Sequence, residues 1–253
     1  MLEKARTLAC DVVVLDLEDA VAPQHKDEAR EAACAALRGF GDREVVVRIN
    51  ARGTPWFEAD LAAVTAARPD AILLPKVDDT NDIVQSAVPV WAMIETPKAV
   101  LNLAAIAASG VAALCLGAND LMKAMHAKTM LDRSNLWAVM TDTVIAARAH
   151  GLTAIDATYN SIGDEAGLAE SCAQGRAFGF DGKTLIHPSQ IDVCNRAFAP
   201  SHDEIAQARA VLEAFLQNPG KGALALDGRM VEKLHAEEAE RVLKLADTIK
   251  ARA

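Results

Sequence analysis

The feature that most constrains the fold is the alternation of short apolar, β-branched runs with longer helix-like segments. Seven such runs occur, at residues 12–19, 44–50, 71–77, 90–95, 113–118, 152–158 and 183–187. This alternation predicts βα units and a parallel sheet. Two α/β architectures fit: an eight-stranded TIM barrel and an open, doubly wound sheet that can hold seven strands. The pattern favours the barrel slightly, and its first strand is then expected upstream of residue 1.

Composition narrows the class of protein. The chain has 253 residues, a net charge of −9 and only 4% aromatic residues. An acidic balance of this kind does not favour nucleic acid or an anionic membrane surface as a partner. No apolar run is long enough for a membrane span, and no secretory leader is visible, so a cytoplasmic location is expected. The five cysteines are odd in number and never form a Cys-x-x-Cys pair, which indicates reduced thiols.

Helix signals and one linker divide the chain. Thr96 and Pro97 predict the start of one helix, and Ser201 with Glu204 forms a capping box that predicts the start of another. The segment Asn-Pro-Gly-Lys-Gly at 218–222 is the clearest linker. We therefore predict a barrel domain at 1–217 and a C-terminal extension at 218–253 that ends in an amphipathic helix.

Nearly every predicted strand becomes charged or polar at the same end, where sites form in both architectures. The residues concerned are Asp16, Glu18, Asp19, Arg48, Asn50, Lys76, Glu95, Asp120, Asp156 and His187. Charges are normally kept off buried strands, so this pattern predicts an active site. The carboxylates of Glu95 and Asp120 come from adjacent strands and suit Mg²⁺, which keeps several waters and accepts substrate oxygens.

Each of these residues also has a purely structural interpretation. Glu95 can be a polar residue where its strand emerges, and Asp120 can be a helix N-cap. Arg48 can belong to a structural ion network with the neighbouring acidic cluster. Lys76 can be a solvated residue at the rim, and His187, which precedes a proline, can be a turn histidine.

Seven stretches along nearly the whole chain resemble one family. They are VVVLDLEDAV (12–21), VVVRINARGT (45–54), ILLPKVD (72–78), MIETPKAV (93–100), CLGANDL (115–121), IHPSQI (186–191) and GKGALALDGRMVE (220–232). In this order and at this spacing they resemble the citrate lyase beta subunit-like proteins of the HpcH/HpaI aldolase superfamily. The resemblance implies a TIM (β/α)8-type barrel whose first strand is missing from the N-terminus, and a homotrimer or hexamer.

The resemblance also implies roles for individual residues. Glu95 and Asp120 are expected to bind Mg²⁺ and substrate, and Arg48 to bind the keto acid and take part in catalysis. His187, Pro188 and Ser189 are expected near the path of the thioester carrier, which is coenzyme A or an acyl carrier protein. Glu232 stands where the family often has an acid/base aspartate followed by proline. This sequence has a longer side chain there and no proline, and it lacks the family's N-terminal loop.

The function implied is magnesium-dependent carbon–carbon cleavage of a 3-hydroxyacyl thioester, such as a citryl or malyl thioester, to a keto acid and an acyl thioester. Three alternatives stay open. They are an HpcH-type aldolase acting on a free hydroxy-oxo acid, an acyl-CoA thioesterase, and a non-catalytic keto-acid-binding subunit. Citrate lyase partner subunits are possible, because that enzyme is a multi-subunit complex.

Overall fold

The protein is described by a computed structural model that covers residues 2–252. Its chain divides into two compact units between Cys194 and Asn195. This division falls earlier in the chain than the boundary predicted at 217, and the C-terminal extension at 218–253 stays a prediction.

The first unit is built on seven strands. Their bounds are β1 Val12–Asp16, β2 Glu44–Arg48, β3 Ala71–Leu74, β4 Val90–Ile94, β5 Ala113–Leu116, β6 Thr153–Asp156 and β7 Gly182–Lys183. The helices before and between them are α1 Leu2–Ala5, α2 Lys26–Ala35, α3 Phe57–Ala67, α4 Pro97–Leu101, α5 Leu103–Ala107, α6 Ala118–Ala124, α7 Trp137–Ala149 and α8 Glu165–Phe178. Helix α9, Ile191–Phe198, follows β7 and spans the division between the units. None of the helices within residues 2–252 is long and apolar enough to cross a membrane.

The seven strands form one parallel sheet in the order β1 to β7. A doubly wound sheet reverses its strand order at a switch point, so this sequential order rules that alternative out. It agrees with the wall of a TIM barrel. Within the described residues no ladder joins β1 to β7, and the first strand expected upstream stays a prediction.

One face of the sheet carries the apolar core that positions the site. Alternate residues of adjacent strands pack together there, and they are Val46, Ala71, Leu73, Trp91, Met93, Ala113 and Cys115. Because side chains alternate between the two faces of a strand, the same two-residue step leads to Arg48, Glu95 and Gly117. The apolar face therefore continues directly into a polar end.

A buried ion cluster joins the ends of the last two strands. The carboxylate of Asp156 is fully buried and accepts hydrogen bonds from Arg133 Nη1 at 2.8 Å and 2.9 Å and from Lys183 Nζ at 2.7 Å. Burial lowers the pKa of Lys183, although the negative charge of Asp156 acts to raise it. This ion cluster gives Asp156 a structural role at the ends of the two strands.

We expect Asp156→Ala to lower the free energy of unfolding of the first unit by about 3–5 kcal/mol, because two buried cations lose their partner. Urea unfolding followed by tryptophan fluorescence measures this unit, since Trp56, Trp91 and Trp137 all lie in it. The control is Asp27→Ala, which removes an exposed carboxylate from Arg30 and should cost about 1 kcal/mol or less. Equal losses in the two variants would contradict this account.

The second unit contains a helix, a hairpin and a long helix. Their bounds are α10 His202–Leu216, β8 Ala223–Leu226, β9 Arg229–Glu232 and α11 Lys233–Arg252. The Ser201 capping box is confirmed, since Ser201 Oγ accepts from the Glu204 N–H. The antiparallel hairpin was not predicted, although Asp227-Gly228 is a strong signal for a two-residue turn and both residues have positive φ, 48° and 75°.

Candidate functional site

Charged side chains meet at the carboxyl end of β1 and β2. The carboxylate of Asp16 accepts from Arg48 Nε at 2.7 Å and from Arg48 Nη2 at 2.6 Å. Burial opposes ionisation of both groups, but the two hydrogen bonds and the mutual charges lower the pKa of Asp16 and raise that of Arg48. Asp16 therefore occupies the Nε and Nη2 edge of the guanidinium, while Nη1 donates a weak hydrogen bond to Met93 Sδ at 3.9 Å and faces Glu18.

Glu18 is the second acidic partner of Arg48. The residue is 7% exposed, and its Oε2 lies 3.0 Å from Arg48 Nη1 but accepts no well-directed hydrogen bond. Burial raises the pKa of Glu18 to about 7, and the charges of Asp19 and Glu95 add to that shift. A buried carboxyl group that titrates near neutrality and keeps a free lone pair is suited to act as a general base.

Lys76 lies between Glu95 and Asp120. Its Nζ contacts Asp120 Oδ2 and lies 3.4 Å from Glu95 Oε1, while its main-chain N–H donates to the same Glu95 oxygen at 2.8 Å. Lys76 also has a positive φ of 52°, which is uncommon for a lysine. A single positive charge thus bridges the two carboxylates.

Glu95 itself is held in a tight, buried position. Its side chain is 2% exposed, and burial raises its pKa despite the nearby charge of Lys76. Gly117 follows the neighbouring strand β5, and a Cβ on this glycine would lie 2.5 Å from both Cβ and Oε2 of Glu95. Only glycine at position 117 leaves room for this placement of Glu95.

The structural alternatives can now be settled for several residues. Asp120 is not a helix N-cap: α6 is capped by Gly117 without a side-chain hydrogen bond, and the Asp120 carboxylate turns to Lys76 instead. Lys76 is not merely a solvated rim residue, because it pairs with two carboxylates. Arg48 does form the ion network, with Asp16 and Glu18 as its partners.

The remaining predicted site residues are His187, Pro188, Ser189 and Glu232. His187 caps the short helical turn Pro188–Gln190 by accepting from the Ser189 N–H, as expected for a turn histidine, and the side chains of His187 and Ser189 are exposed. Glu232 ends β9 in the second unit, where its main-chain N–H donates to His235 Nδ1 at 2.9 Å. Its acid/base role stays a prediction.

The electrostatics of the β3 to β5 end suit a divalent cation that keeps open positions. Within residues 2–252 no group of three or more His, Cys, Asp and Glu side chains forms a closed metal cage. Two carboxylates leave most coordination positions of a bound ion to waters and substrate. Mg²⁺ is typically bound in this way in proteins. The donor set therefore fits this ion and not a structural zinc site.

A family model described as HpcH/HpaI aldolase/citrate lyase matches residues 1–188. The chain belongs to this family. The resemblance inferred from the seven sequence stretches is thereby confirmed.

Similar members of the family differ in their named activities. The chain is 43% identical to a (3S)-malyl-CoA thioesterase of Cereibacter sphaeroides, over 99% of this chain and 91% of that protein. It is 32% identical to the citrate lyase subunit beta of Leuconostoc mesenteroides subsp. cremoris, over 98% and 89%. A crystal structure of protein CitE from Mycobacterium tuberculosis in complex with magnesium, acetoacetate and coenzyme A matches with a TM-score of 0.84 at 35% identity, over 94% of this chain and 91% of that one.

Proposed function

We propose that the protein is a Mg²⁺-dependent enzyme that acts on coenzyme A thioesters of short 3-hydroxy acids of the malyl type. The observation that carries this proposal is the bridging of Glu95 and Asp120 by the Lys76 ammonium, beside Arg48 and Glu18. The magnesium and coenzyme A in the CitE complex, and malyl-CoA in the name of the 43% identical thioesterase, support the same substrate class.

Glu95 and Asp120 would hold the ion. When bound, Mg²⁺ would polarise a substrate carbonyl and neutralise charge that builds on its oxygen. The Lys76 ammonium lies between the two carboxylates, where the ion would bind. Lys76 would therefore move aside when Mg²⁺ binds.

Arg48 and Glu18 would act on the substrate directly. Because Asp16 occupies the Nε and Nη2 edge of Arg48, the arginine would bind the acid at Nη1, beside its contact with Glu18. The Glu18 carboxylate, next to that nitrogen, would accept the proton that the reaction releases. That proton comes from water in thioester hydrolysis, or from the 3-hydroxyl group in carbon–carbon cleavage.

Hydrolysis of the thioester is the first candidate for the net reaction, because the thioesterase is 43% identical whereas the citrate lyase subunit beta is 32% identical. Carbon–carbon cleavage, the reaction implied by the sequence resemblance, is the second. His187, Pro188 and Ser189 remain proposed contacts of the carrier. A homotrimer or hexamer, partner subunits and a cytoplasmic location remain predictions.

One experiment separates these reactions. Malyl-CoA is incubated with the protein in Mg²⁺ or in EDTA, and released thiol and glyoxylate are measured in parallel. Hydrolysis releases free coenzyme A thiol and malate without glyoxylate, whereas carbon–carbon cleavage releases glyoxylate and acetyl-CoA without thiol. If neither product forms, citryl-CoA is tested for released thiol and oxaloacetate, and free 4-hydroxy-2-oxo acids are tested for released pyruvate. Absence of any Mg²⁺-dependent product from all of them would overturn the enzymatic proposal, and keto-acid binding without turnover would identify a binding subunit.

Gly117→Ala tests the close approach at the metal position. The added methyl group would displace Glu95, so we expect Mg²⁺ affinity to fall by about 10- to 100-fold, as when a metal ligand loses its support. Isothermal titration calorimetry with Mg²⁺ measures this. The matched control is Gly163→Ala, since a Cβ there meets no atom within 4 Å and no positive φ is involved. Unchanged affinity in Gly117→Ala would show that Glu95 tolerates the displacement or does not bind the ion.

A further inference from the structure

Lys26, the first residue of α2, has a buried ammonium group that pairs with no carboxylate in the described part of the chain. The residue is 6% exposed, and its Nζ donates to the carbonyl oxygens of Leu17 at 2.7 Å and Glu18 at 2.6 Å. Burying a charge without a counter-ion is costly unless hydrogen bonds replace its water. The buried position of this ammonium group therefore points to a role for the hydrogen bonds that it donates.

The two carbonyl groups belong to the segment where the chain leaves the sheet. Strand β1 ends at Asp16, and the Leu17 N–H still donates to the Arg48 carbonyl at 2.8 Å. The next main-chain group, the Glu18 N–H, donates to Asp16 Oδ1 at 2.9 Å. With its carbonyl bound by Lys26, the main chain of Glu18 is held on both sides, by Asp16 before it and by Lys26 after it.

The ring of Trp56 also contacts the ammonium group of Lys26. Its ring centre lies 5.3 Å from Lys26 Nζ, within the range of a cation–π interaction. Trp56 precedes α3, so the lysine links the segment after β1 to the segment after β2. Lys26, Trp56 and Glu18 line one cleft of about 280 Å³. The lysine therefore stands in the wall beside the carboxyl group that the proposed mechanism uses.

We propose that Lys26 is a positioning residue, which holds the main chain of Glu18 so that its carboxyl group faces the reacting atoms of the substrate. This inference rests on the proposed function, in which Glu18 is the base. Lys26 does not itself touch the substrate in this scheme, and its effect passes entirely through Glu18.

Lys26→Met keeps an unbranched side chain of nearly the same length and removes the donors. We expect kcat for malyl-CoA to fall about 10- to 100-fold, because a displacement of about 1 Å weakens proton transfer to this extent. The Kd of glyoxylate in saturating Mg²⁺ should stay at its wild-type value, because Glu95 and Asp120 are untouched. Lys26→Gln, which keeps a donor without the charge, replaces this variant if Lys26→Met does not fold.

A double-mutant cycle distinguishes positioning from a general loss of structure. In a Glu18→Gln background, Lys26→Met should cause no further loss of kcat, because the group on which it acts is already gone. Multiplicative losses would overturn the proposal. Arg148→Met is a control: Arg148 also donates to main-chain carbonyls, those of Leu152 and Gly179, although it is exposed and pairs with Asp181 as well, and its loss should leave kcat at the wild-type level.

A crystal structure of Lys26→Met tests the positioning without any turnover. A shift of Glu18 by about 1 Å or more relative to Asp16 supports the proposal, and an unmoved Glu18 overturns it. If Glu18 shifts in a protein whose wild type turns over no malyl or citryl thioester, the proposed reaction fails while the positioning contact stands.

Discussion

Glu18→Gln is expected to lower kcat for the thioester by about 10²- to 10⁴-fold, the usual contribution of a general base. The amide keeps the size of the side chain but cannot accept the proton. Binding of Mg²⁺ and of glyoxylate should persist, because Glu95, Asp120 and Arg48 remain. Steady-state kinetics give the loss in kcat, and calorimetry gives the two affinities.

The pH profile shows whether Glu18 is the group that must be ionised. Burial raises its pKa to about 7, so kcat/KM of the wild type should rise with pH up to about that value. The rise should be absent from the residual activity of Glu18→Gln. Asp19→Asn is the matched control: it removes a neighbouring charge that raises the pKa of Glu18, so kcat should persist and the rise should move to lower pH. A rise near pH 7 that survives in Glu18→Gln would assign the ionisation to another group.

The same pKa shift has a consequence for stability. The folded protein binds a proton at Glu18 more tightly than the unfolded chain, whose glutamate has the ordinary pKa of 4.5. The contribution of this group to stability is therefore full below pH 4.5 and is lost as the pH rises through about 7. Replacing the acid by an amide removes the cost of a buried charge, so Glu18→Gln should be more stable than the wild type at pH 8. Such a gain is typical of a group kept for function rather than for folding.

How far the sequence could predict this arrangement depends on which physical signal it carries. The parallel sheet and its polar end follow from apolar runs that become charged at one end, and these runs also place Arg48, Glu95 and Asp120 together. The pattern does not distinguish a barrel wall from a doubly wound sheet. That distinction comes from the observed strand order. The D-G turn of the second unit was visible in the sequence but was not interpreted as a hairpin.

The finer roles at the site depend on tertiary contacts that no local pattern encodes. The segment Asp-Leu-Glu-Asp presents three acids, and the sequence cannot tell that burial selects Glu18 while Asp16 is bound by Arg48. Lys76 resembles a surface residue in the sequence, because its positive φ and its bridge between two strands appear only in the fold. Lys26 belongs to a helix and has no sequence signal that connects it to the end of β1.

Glu95→Gln and Lys76→Met are expected to change Mg²⁺ affinity in opposite directions. Loss of the buried carboxylate should weaken binding by about 100-fold or more, because Mg²⁺ is held by only one or two protein carboxylates. Loss of the ammonium should strengthen binding by about tenfold. In the wild type this positive charge lies between the ligands, where it competes with the ion and repels it. Calorimetric titration with Mg²⁺, repeated in saturating glyoxylate, measures both changes.

Lys98→Met is the control for loss of a lysine near the same strand ends. This exposed lysine pairs with Asp78 and not with Glu95 or Asp120, so its removal should leave Mg²⁺ affinity near the wild-type value. If Lys76→Met bound Mg²⁺ more weakly than the wild type, the lysine would be a support of the two carboxylates, and its bridge would not mark the position of the ion. Tighter binding in Lys76→Met alone would show that the Lys76 ammonium occupies the metal position until Mg²⁺ displaces it.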